Sequence, residues 1–168
     1  MRQDLLDVVK HVVNLHEGGT VSVMQDAEST MLRFDSEQLT QVLVNLVQNA
    51  ADAASARHGD TGACVRVSLR SLEGDAKGVE LRVEDNGPGI PPVDRLRVFE
   101  PYFTTKAKGT GLGLAIVHRI VGDHGGTIDI EDGLDGGAAF VIRLPEAGPP
   151  AAIVASLSDA SLPLGRSH

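Results

Sequence analysis

Apolar residues recur along this chain with two different periods, which predict an alternating order of helices and strands. A helical period covers residues 4–16, 36 to about 57, and about 111–124. Asp35 is a favourable N-cap for the second helix, with Gln38 three residues later as in a capping box. The apolar stripe of that helix consists of Leu39, Val42, Leu43, Leu46, Val47 and Ala50.

Alternating apolar and polar residues predict six strands between and after these helices. The strands are expected at 20–25, 30–34, 65–69, 79–83, 127–132 and 138–144. GLDGG joins the last two as a hairpin turn, HGDTG at 58–62 indicates a loop, and a short helical turn is expected around 93–98. Since the strands come in pairs without helical crossovers, we expect an α+β fold. It is a two-layer sandwich with a mixed, mostly antiparallel sheet covered on one face by about three helices.

Composition divides the chain into one domain and a tail. Residues 1–145 have the length and apolar content of a single globular domain. Residues 146–168 are rich in Ala, Pro and Ser, and we expect them to form a disordered C-terminal tail.

Charge and residue usage exclude several classes of function. A net charge of −8 and an aromatic content of 3% without Trp argue against nucleic-acid binding. Cys64 is the only cysteine, so no disulfide forms within the chain, and its place in ACVRVSL favours a buried strand residue. With no apolar run of about 18 residues and no signal-peptide core, we expect a cytoplasmic chain without membrane contact, whether or not its parent protein is anchored.

Two glycine clusters point to a phosphate-binding site. DNGPGIP begins at Asp85, and KGTGLGL places Gly109, Gly111 and Gly113 directly before a predicted helix. Glycine lets the backbone approach a ligand closely, and the first turn of a helix offers N–H groups to phosphate. FEPYFTTK lies between the clusters.

An asparagine-bearing face lies upstream, on the second predicted helix. Asn45, Asn49 and Asp52 in NLVQNAADAA share one face at the edge of the apolar stripe. Asparagine is a mediocre helix former, so two on one face indicate a function. A solvated polar face is the alternative.

These four motifs, in this order, resemble those of the ATP-binding catalytic domain of sensor histidine kinases. That domain belongs to a larger ATPase and kinase superfamily that also includes DNA gyrase. The resemblance runs from about residue 35 to about 145, and FEPYFTTKAKGTGLGLAIV is most similar to the nitrogen-regulatory group. It implies a Bergerat-type ATP-binding fold with ATP and Mg²⁺ as cofactors. It also implies transfer of the ATP γ-phosphoryl group to a histidine on a separate dimerisation domain.

The resemblance assigns roles to residues of the first two motifs. Asn49 matches the Mg²⁺ ligand, and Asn45 stands where ATP-hydrolysing relatives carry a glutamate base. Asp85 matches the acceptor for the adenine amine, with an Asx turn onto Gly87 as the alternative. Gly87 and Gly89 bend the backbone around the base, and Ile90 supplies an apolar wall.

The segment from about 91 to 108 matches the ATP lid. Phe99 and Phe103 are expected to anchor it, and Lys106 matches the phosphate-binding lysine, whereas Lys108 is equally consistent with a solvated charge. We assign Asn45, Asn49 and Lys106 to catalysis. The nucleotide-binding set is Asn49, Asp52, Asp85, Gly87, Gly89, Ile90, Phe103, Thr104, Thr105, Lys106, Gly109, Thr110, Gly111, Leu112 and Gly113.

The six histidines are interpreted as surface or packing residues, because none lies in a phosphoacceptor motif on a continuous helix. His16-Glu17 is followed at once by Gly18-Gly19. The resemblance therefore implies that the partners are dimerisation helices and, through them, a response regulator, while the isolated domain is monomeric. Two alternatives stay open here: a serine kinase of the anti-sigma type, and a nucleotide-binding interaction module without transferase activity.

Overall fold

The computed structural model describes residues 1–16, 20–103 and 111–149. Three α-helices lie within them: α1 (Leu5–Asn14), α2 (Ser36–Gly62) and α3 (Gly113–Asp123). The strands are β1 (Gln3–Asp4), β2 (Val21–Asp26), β3 (Met31–Leu32), β4 (Val65–Ser71), β5 (Gly78–Asp85), β6 (Thr127–Asp132) and β7 (Ala138–Pro145). Short 3₁₀ turns occupy Pro92–Asp94, Arg97–Phe99 and Leu134–Gly136.

Five strands form one mixed sheet in the order β2-β4-β5-β7-β6. Only the β2–β4 pair is parallel, and the three other pairs are antiparallel. The hairpin from β6 to β7 closes where Gly133 donates its N–H to the Gly137 carbonyl at 2.7 Å. The predicted mixed, mostly antiparallel sheet and its last hairpin are therefore confirmed.

The core lies between the sheet and the three helices. In β5, the side chains of Val79, Leu81 and Val83 are buried, while the residues between them reach the other face. All three helices contribute buried residues to the same apolar cluster. This is the predicted two-layer α+β sandwich.

Charged side chains cover the opposite face of the sheet. Arg82 pairs with Glu84 at 3.0 Å and with Glu131, while Arg143 pairs with Glu80 at 3.2 Å. Because these side chains are partly exposed, water screens the pairs, and each contributes about 0–1 kcal/mol.

Side-chain hydrogen bonds fix the ends of two helices. Asp35 accepts the Gln38 N–H at 3.0 Å, as the capping pattern predicts. His124, at the end of α3, is buried and receives the Asp35 N–H on Nε2 at 3.0 Å. Its Nδ1 lies 2.7 Å from the Ile120 carbonyl. This histidine is thus a packing residue that joins the end of α3 to the start of α2.

Three local predictions differ from the structure. The strand expected at 30–34 is reduced to β3, which pairs with β1 in a separate two-stranded sheet. The loop expected at 58–62 is included in α2, although Gly59 interrupts the helix with a φ of 69°. Cys64 is exposed rather than buried, because β4 begins at Val65 and its alternation turns Val65 inward.

The first residues of the predicted tail continue along the domain. Glu146 donates its N–H to the Lys77 carbonyl at 2.9 Å, and Gly148 is buried near Arg33. Residues 150–168 lie outside the described residues, so the division into domain and tail stays a prediction.

Candidate nucleotide-binding site

Asp85, the last residue of β5, is buried where the sheet meets the first glycine cluster. One carboxylate oxygen, Oδ1, accepts the Gly87 N–H at 2.8 Å and the Ala138 N–H at 3.3 Å. The second oxygen accepts no hydrogen bond within the described part of the chain. In this part of the chain, every fully buried side-chain oxygen has a hydrogen-bond partner. Since the second oxygen has none, it is not fully buried, and solvent reaches it. The Asx turn is present, and it leaves one oxygen for a ligand.

Burial and hydrogen bonding act in opposite directions on this carboxyl group. Burial raises the pKa of Asp85 above its ordinary value, while the N–H groups of Gly87 and Ala138 act to lower it. The net direction is upward. A ligand that donates a hydrogen bond to the ionised form would offset part of the cost of burial.

The walls around Asp85 are built from closely packed backbone. A Cβ on Gly87 would lie 2.7 Å from the Ala53 carbonyl carbon, and one on Gly89 would lie 2.5 Å from the Gly136 oxygen. Gly89 also has a φ of 78°, which favours glycine. The predicted turn is therefore restricted to glycine at both positions. Ile90 is half-buried and packs against the core.

The asparagine face of α2 joins the two glycine clusters. Asn45 lies at one end, where its Oδ1 would be 2.8 Å from a Cβ on Gly113, the first residue of α3. Ala53 lies eight residues further on and contacts Gly87. Since a helix rises about 1.5 Å per residue, the two contacts are roughly 12 Å apart along the axis. Asn49 is half-buried and lies on the same face midway between them.

The two other polar residues of that face, Asn45 and Asp52, differ in their exposure. The amide of Asn45 donates to the Gln41 carbonyl at 2.9 Å, so its oxygen is the atom directed at α3. Asp52 is exposed and accepts a hydrogen bond from Gln48 at 2.9 Å. Asn45 and Asn49 are therefore partly buried between the two glycine clusters, whereas Asp52 lies at the surface.

The two flanks of the predicted lid meet at its base. Tyr102 donates its N–H to the Gly111 carbonyl at 2.9 Å. Phe99 packs against the core and lies edge-on to Phe140, with ring centroids 6.3 Å apart. Phe103 is half-buried beneath the Arg97 guanidinium, 4.9 Å from its ring centroid.

Leu112, at the N-cap of α3, is half-buried and has no side-chain oxygen with which to cap the helix. The other lid residues to which sequence gave a role lie outside the described residues: Thr104, Thr105, Lys106, Lys108, Gly109 and Thr110.

Three polar residues near Asp85 have no role in the sequence analysis. Asn86 is buried, and its side chain accepts the Cys64 N–H and donates to the Gly62 carbonyl, both at 2.9 Å. Arg57 donates to two loop carbonyls, and Arg95 donates to the Ile90 carbonyl at 3.1 Å. Asn86 was visible as part of the DNG turn. Arg57 bonds to residues 30 and 78 positions away, and Arg95 also pairs with Asp132, so neither arginine leaves a local sequence signal.

The donor set suits a magnesium ion held mainly by its nucleotide. Mg²⁺ prefers oxygen ligands and keeps several waters, so one amide oxygen beside a triphosphate is a sufficient protein contribution. Asn49 supplies such an oxygen from a half-buried position. The described residues contain no cluster of three His, Cys, Asp or Glu side chains able to hold a metal. They also contain no helix long and apolar enough to cross a membrane.

The fold and the arrangement around Asp85 and the asparagine face suit a nucleotide-binding domain, and comparisons with known proteins show which family it belongs to. Residues 34–148 match the family described as histidine kinase-, DNA gyrase B-, and HSP90-like ATPase. The chain belongs to this family and is a catalytic ATP-binding domain of the two-component sensor histidine kinase type.

Curated relatives extend the similarity to most of the chain. Nitrogen regulation protein NtrY of Azorhizobium caulinodans is 37% identical over 153 residues, which are 89% of this chain and 20% of that protein. Sensor histidine kinase ZraS of Escherichia coli K12 is 41% identical over 155 residues, 84% of this chain and 30% of that protein. The chain thus spans less than a third of the length of these relatives.

Solved structures agree with the family assignment. The catalytic domain of histidine kinase ThkA superposes with a TM-score of 0.72 at 28% identity, covering 88% of this chain and 95% of that one. The mycobacterial sensor histidine kinase MprB gives a TM-score of 0.71 at 30% identity, covering 89% and 98%. The resemblance predicted from the four motifs is confirmed.

Proposed function

We propose that this domain binds ATP with Mg²⁺ and transfers the γ-phosphoryl group to a histidine on a separate dimerisation domain. One observation carries the proposal. A single face of α2 touches the Asp85 turn through Ala53 and the start of α3 through Asn45, with Asn49 between them. The roughly 12 Å between these contacts suits an adenine at one end and phosphates at the other.

The adenine end is assigned to Asp85. Its solvent-reached oxygen would accept the exocyclic amine of adenine, while Oδ1 stays bound to two backbone N–H groups. Guanine carries a carbonyl at the equivalent position and would oppose one acceptor with another. Adenine is therefore preferred.

The phosphate end is assigned to the start of α3 and the lid. The first turn of a helix presents N–H groups and the positive end of the helix dipole, which favour a phosphate. Gly111 and Gly113 bring backbone close to that point, and Lys106 is expected to add a cation. Asn49 would contribute its amide oxygen to Mg²⁺, which neutralises charge on the triphosphate when bound.

Phosphoryl transfer is favoured over hydrolysis because Asn45 has no ionisable group. A general base must accept a proton, and an amide does not do so in this pH range. In the proposed reaction an imidazole nitrogen of the acceptor forms a bond to the γ-phosphorus, while the bond from that phosphorus to the β,γ-bridging oxygen breaks. ADP leaves with the bond's electrons, and the imidazole proton passes to a base on the acceptor domain. A response regulator is the expected next recipient.

Radiolabelled ATP tests the reaction directly. The domain is mixed with the dimerisation helices of its parent kinase, and label should appear on the helices and depend on Mg²⁺. The Asn49→Ala variant should reduce the transfer, whereas Gln41→Ala, which removes an exposed side chain of the same helix, serves as the matched control.

The chemical stability of the product separates histidine transfer from its alternatives. Phosphohistidine is lost in acid, so label that survives acid treatment would indicate a serine kinase instead. ATP binding without label on the helices would indicate an interaction module.

A further inference from the structure

Arg57 joins two loops that are far apart in sequence. It lies on α2, two residues before the break at Gly59. A single guanidinium nitrogen donates to the Gly87 carbonyl at 2.9 Å and to the Asp135 carbonyl at 2.7 Å. Both acceptors are backbone atoms, so each bond fixes the course of a loop rather than a side chain.

These are the same two loops that supply the backbone donors to Asp85. Gly87 gives its N–H to Asp85 Oδ1 and its carbonyl to Arg57. Ala138, which gives the second N–H, follows Asp135 by three residues in the β6–β7 hairpin. Arg57 therefore holds each loop close to the point where that loop holds Asp85.

The hairpin loop adopts a backbone conformation that benefits from such support. Asp135 has a φ of 48°, in the left-handed region that non-glycine residues seldom occupy, and Gly136 follows with a φ of 83°. Contact between the loops is made by backbone: a Cβ on Gly137 would lie 1.9 Å from the Asp85 carbonyl oxygen. With glycine on both sides, the loops have little side-chain packing to fix their spacing.

We propose that Arg57 is a positioning residue for adenine recognition, tying the turn after β5 to the hairpin before β7 so that one oxygen of Asp85 stays held and the other faces the base. The proposal rests on the adenine role of Asp85 proposed above. Arg57 is not a catalytic residue, since it acts through the two carbonyls and Asp85.

Two nucleotides that differ at one edge of the base provide the test. IDP carries a carbonyl where ADP carries the amine, and a proton on the adjacent N1, so the ratio of their affinities reports on recognition of the base edge that Asp85 is proposed to bind. Arg57→Ala should lower ADP affinity about tenfold, the equivalent of one well-formed hydrogen bond, while IDP affinity changes less than about twofold. Arg57→Lys, which keeps N–H donors and charge, should recover part of the ratio.

The matched control is Arg119→Ala, which removes one charge from an exposed position of α3; Arg119 makes no hydrogen bond or ion pair within the described chain. It should leave the ratio unchanged. Combining Arg57→Ala with Asp85→Asn should cost no more ADP affinity than Asp85→Asn alone, because Arg57 acts through Asp85.

Each outcome has a distinct meaning. Equal losses of ADP and IDP affinity, or additive losses in the double variant, would overturn the positioning role. If Arg57→Ala fails to fold, Arg57→Met, which keeps the aliphatic stem and removes the N–H donors, is measured by the same ratio. An ADP preference equal to wild type in that variant would overturn the positioning role. A wild-type domain without preference for ADP would remove the adenine role of Asp85, and the Arg57 proposal with it.

Discussion

At the scale of single residues, Asp85 has two oxygens with different tasks. Oδ1 is used within the fold by Gly87 and Ala138, and the other oxygen is reached by solvent. Oδ1 stabilises the turn, while the other oxygen is left to accept a hydrogen bond from a ligand. Because burial raises the pKa of this carboxyl group, its ionised form should lower the stability of the free domain. The same ionised form should contribute to nucleotide binding.

Replacing Asp85 by Asn separates these two effects. Burial raises the folded-state pKa of Asp85, so ionisation costs stability as pH rises from the ordinary aspartate pKa through the raised one. Asp85→Asn should raise the melting temperature at about pH 7 and have no such effect near pH 3, where the carboxyl group is protonated in both states. The amide oxygen can still accept both N–H groups. ADP affinity should fall at the same time, as measured by calorimetry.

A melting temperature lowered by Asp85→Asn at both pH values would contradict this account. It would mean that the carboxylate stabilises the turn in a way the two N–H bonds do not explain.

A pair of glycines tests whether close backbone packing maintains the pocket. Gly137→Ala places a methyl group on the Asp85 carbonyl and should destabilise the fold by about 1–3 kcal/mol. Gly122→Ala, in the last turn of α3 with open space around it, should instead be neutral or stabilise by up to about 1 kcal/mol. Urea denaturation of both variants measures the difference, and similar effects at the two positions would argue against it.

At the scale of elements, α3 is held against α2 at both of its ends. Asn45 faces Gly113 at the start of α3, and His124 bonds to Asp35 at its end. The relative position of these helices sets the distance between the asparagine face and the predicted phosphate site. Substitutions at the His124 end of α3, which is the end away from the predicted phosphate site, should therefore lower the free energy of unfolding more than they lower nucleotide affinity.

His124 offers the corresponding variant pair. His124→Leu leaves the Asp35 N–H without its acceptor and should cost about 1–3 kcal/mol of unfolding free energy. His124→Gln retains an acceptor of similar reach and should cost less. Chemical denaturation compares them, and equal costs would show that packing volume, not the hydrogen bond, is what His124 provides.

Elements with a long, strict period were predictable from sequence, and elements made by distant pairing were not. The α2 stripe and the β5 alternation are local patterns, and both match the structure. β3 pairs with β1, whose residues lie 27 and 29 positions earlier in the chain, so the short length of β3 has no local signal. The same reason hides Arg57, whose two bonds span 30 and 78 residues.

The candidate site shows the same division. The DNGPG turn and the asparagine face were found because glycine and asparagine are unusual at those positions. Cys64 was predicted to be a buried strand residue, but it precedes β4 and is exposed, because the inward-facing alternation begins at Val65.

At the scale of the whole molecule, the domain is expected to hold ATP without consuming it. Incubated alone with labelled ATP, the chain should release little phosphate and retain no label, because Asn45 is not a base and no acceptor motif was found among its histidines. His16→Ala is the informative control, since His16 is the one histidine followed by an acidic residue. Label retained by the wild type and lost in this variant would show that the chain phosphorylates itself.

The hydrogen bond between Tyr102 and Gly111 has a consequence for how the domain can be altered. It joins the two residues between which residues 103–110 lie, and we call Tyr102 and Gly111 the stems of that segment. The bond fixes the position of the stems on the rest of the fold. The entropy of closing a flexible loop grows only with the logarithm of its length, about 0.6 kcal/mol for each doubling. Changes in the length of the chain between these stems should therefore cost the fold little. A loss of ATP binding in such length variants would then report on the contacts proposed for Thr104, Thr105 and Lys106 rather than on unfolding.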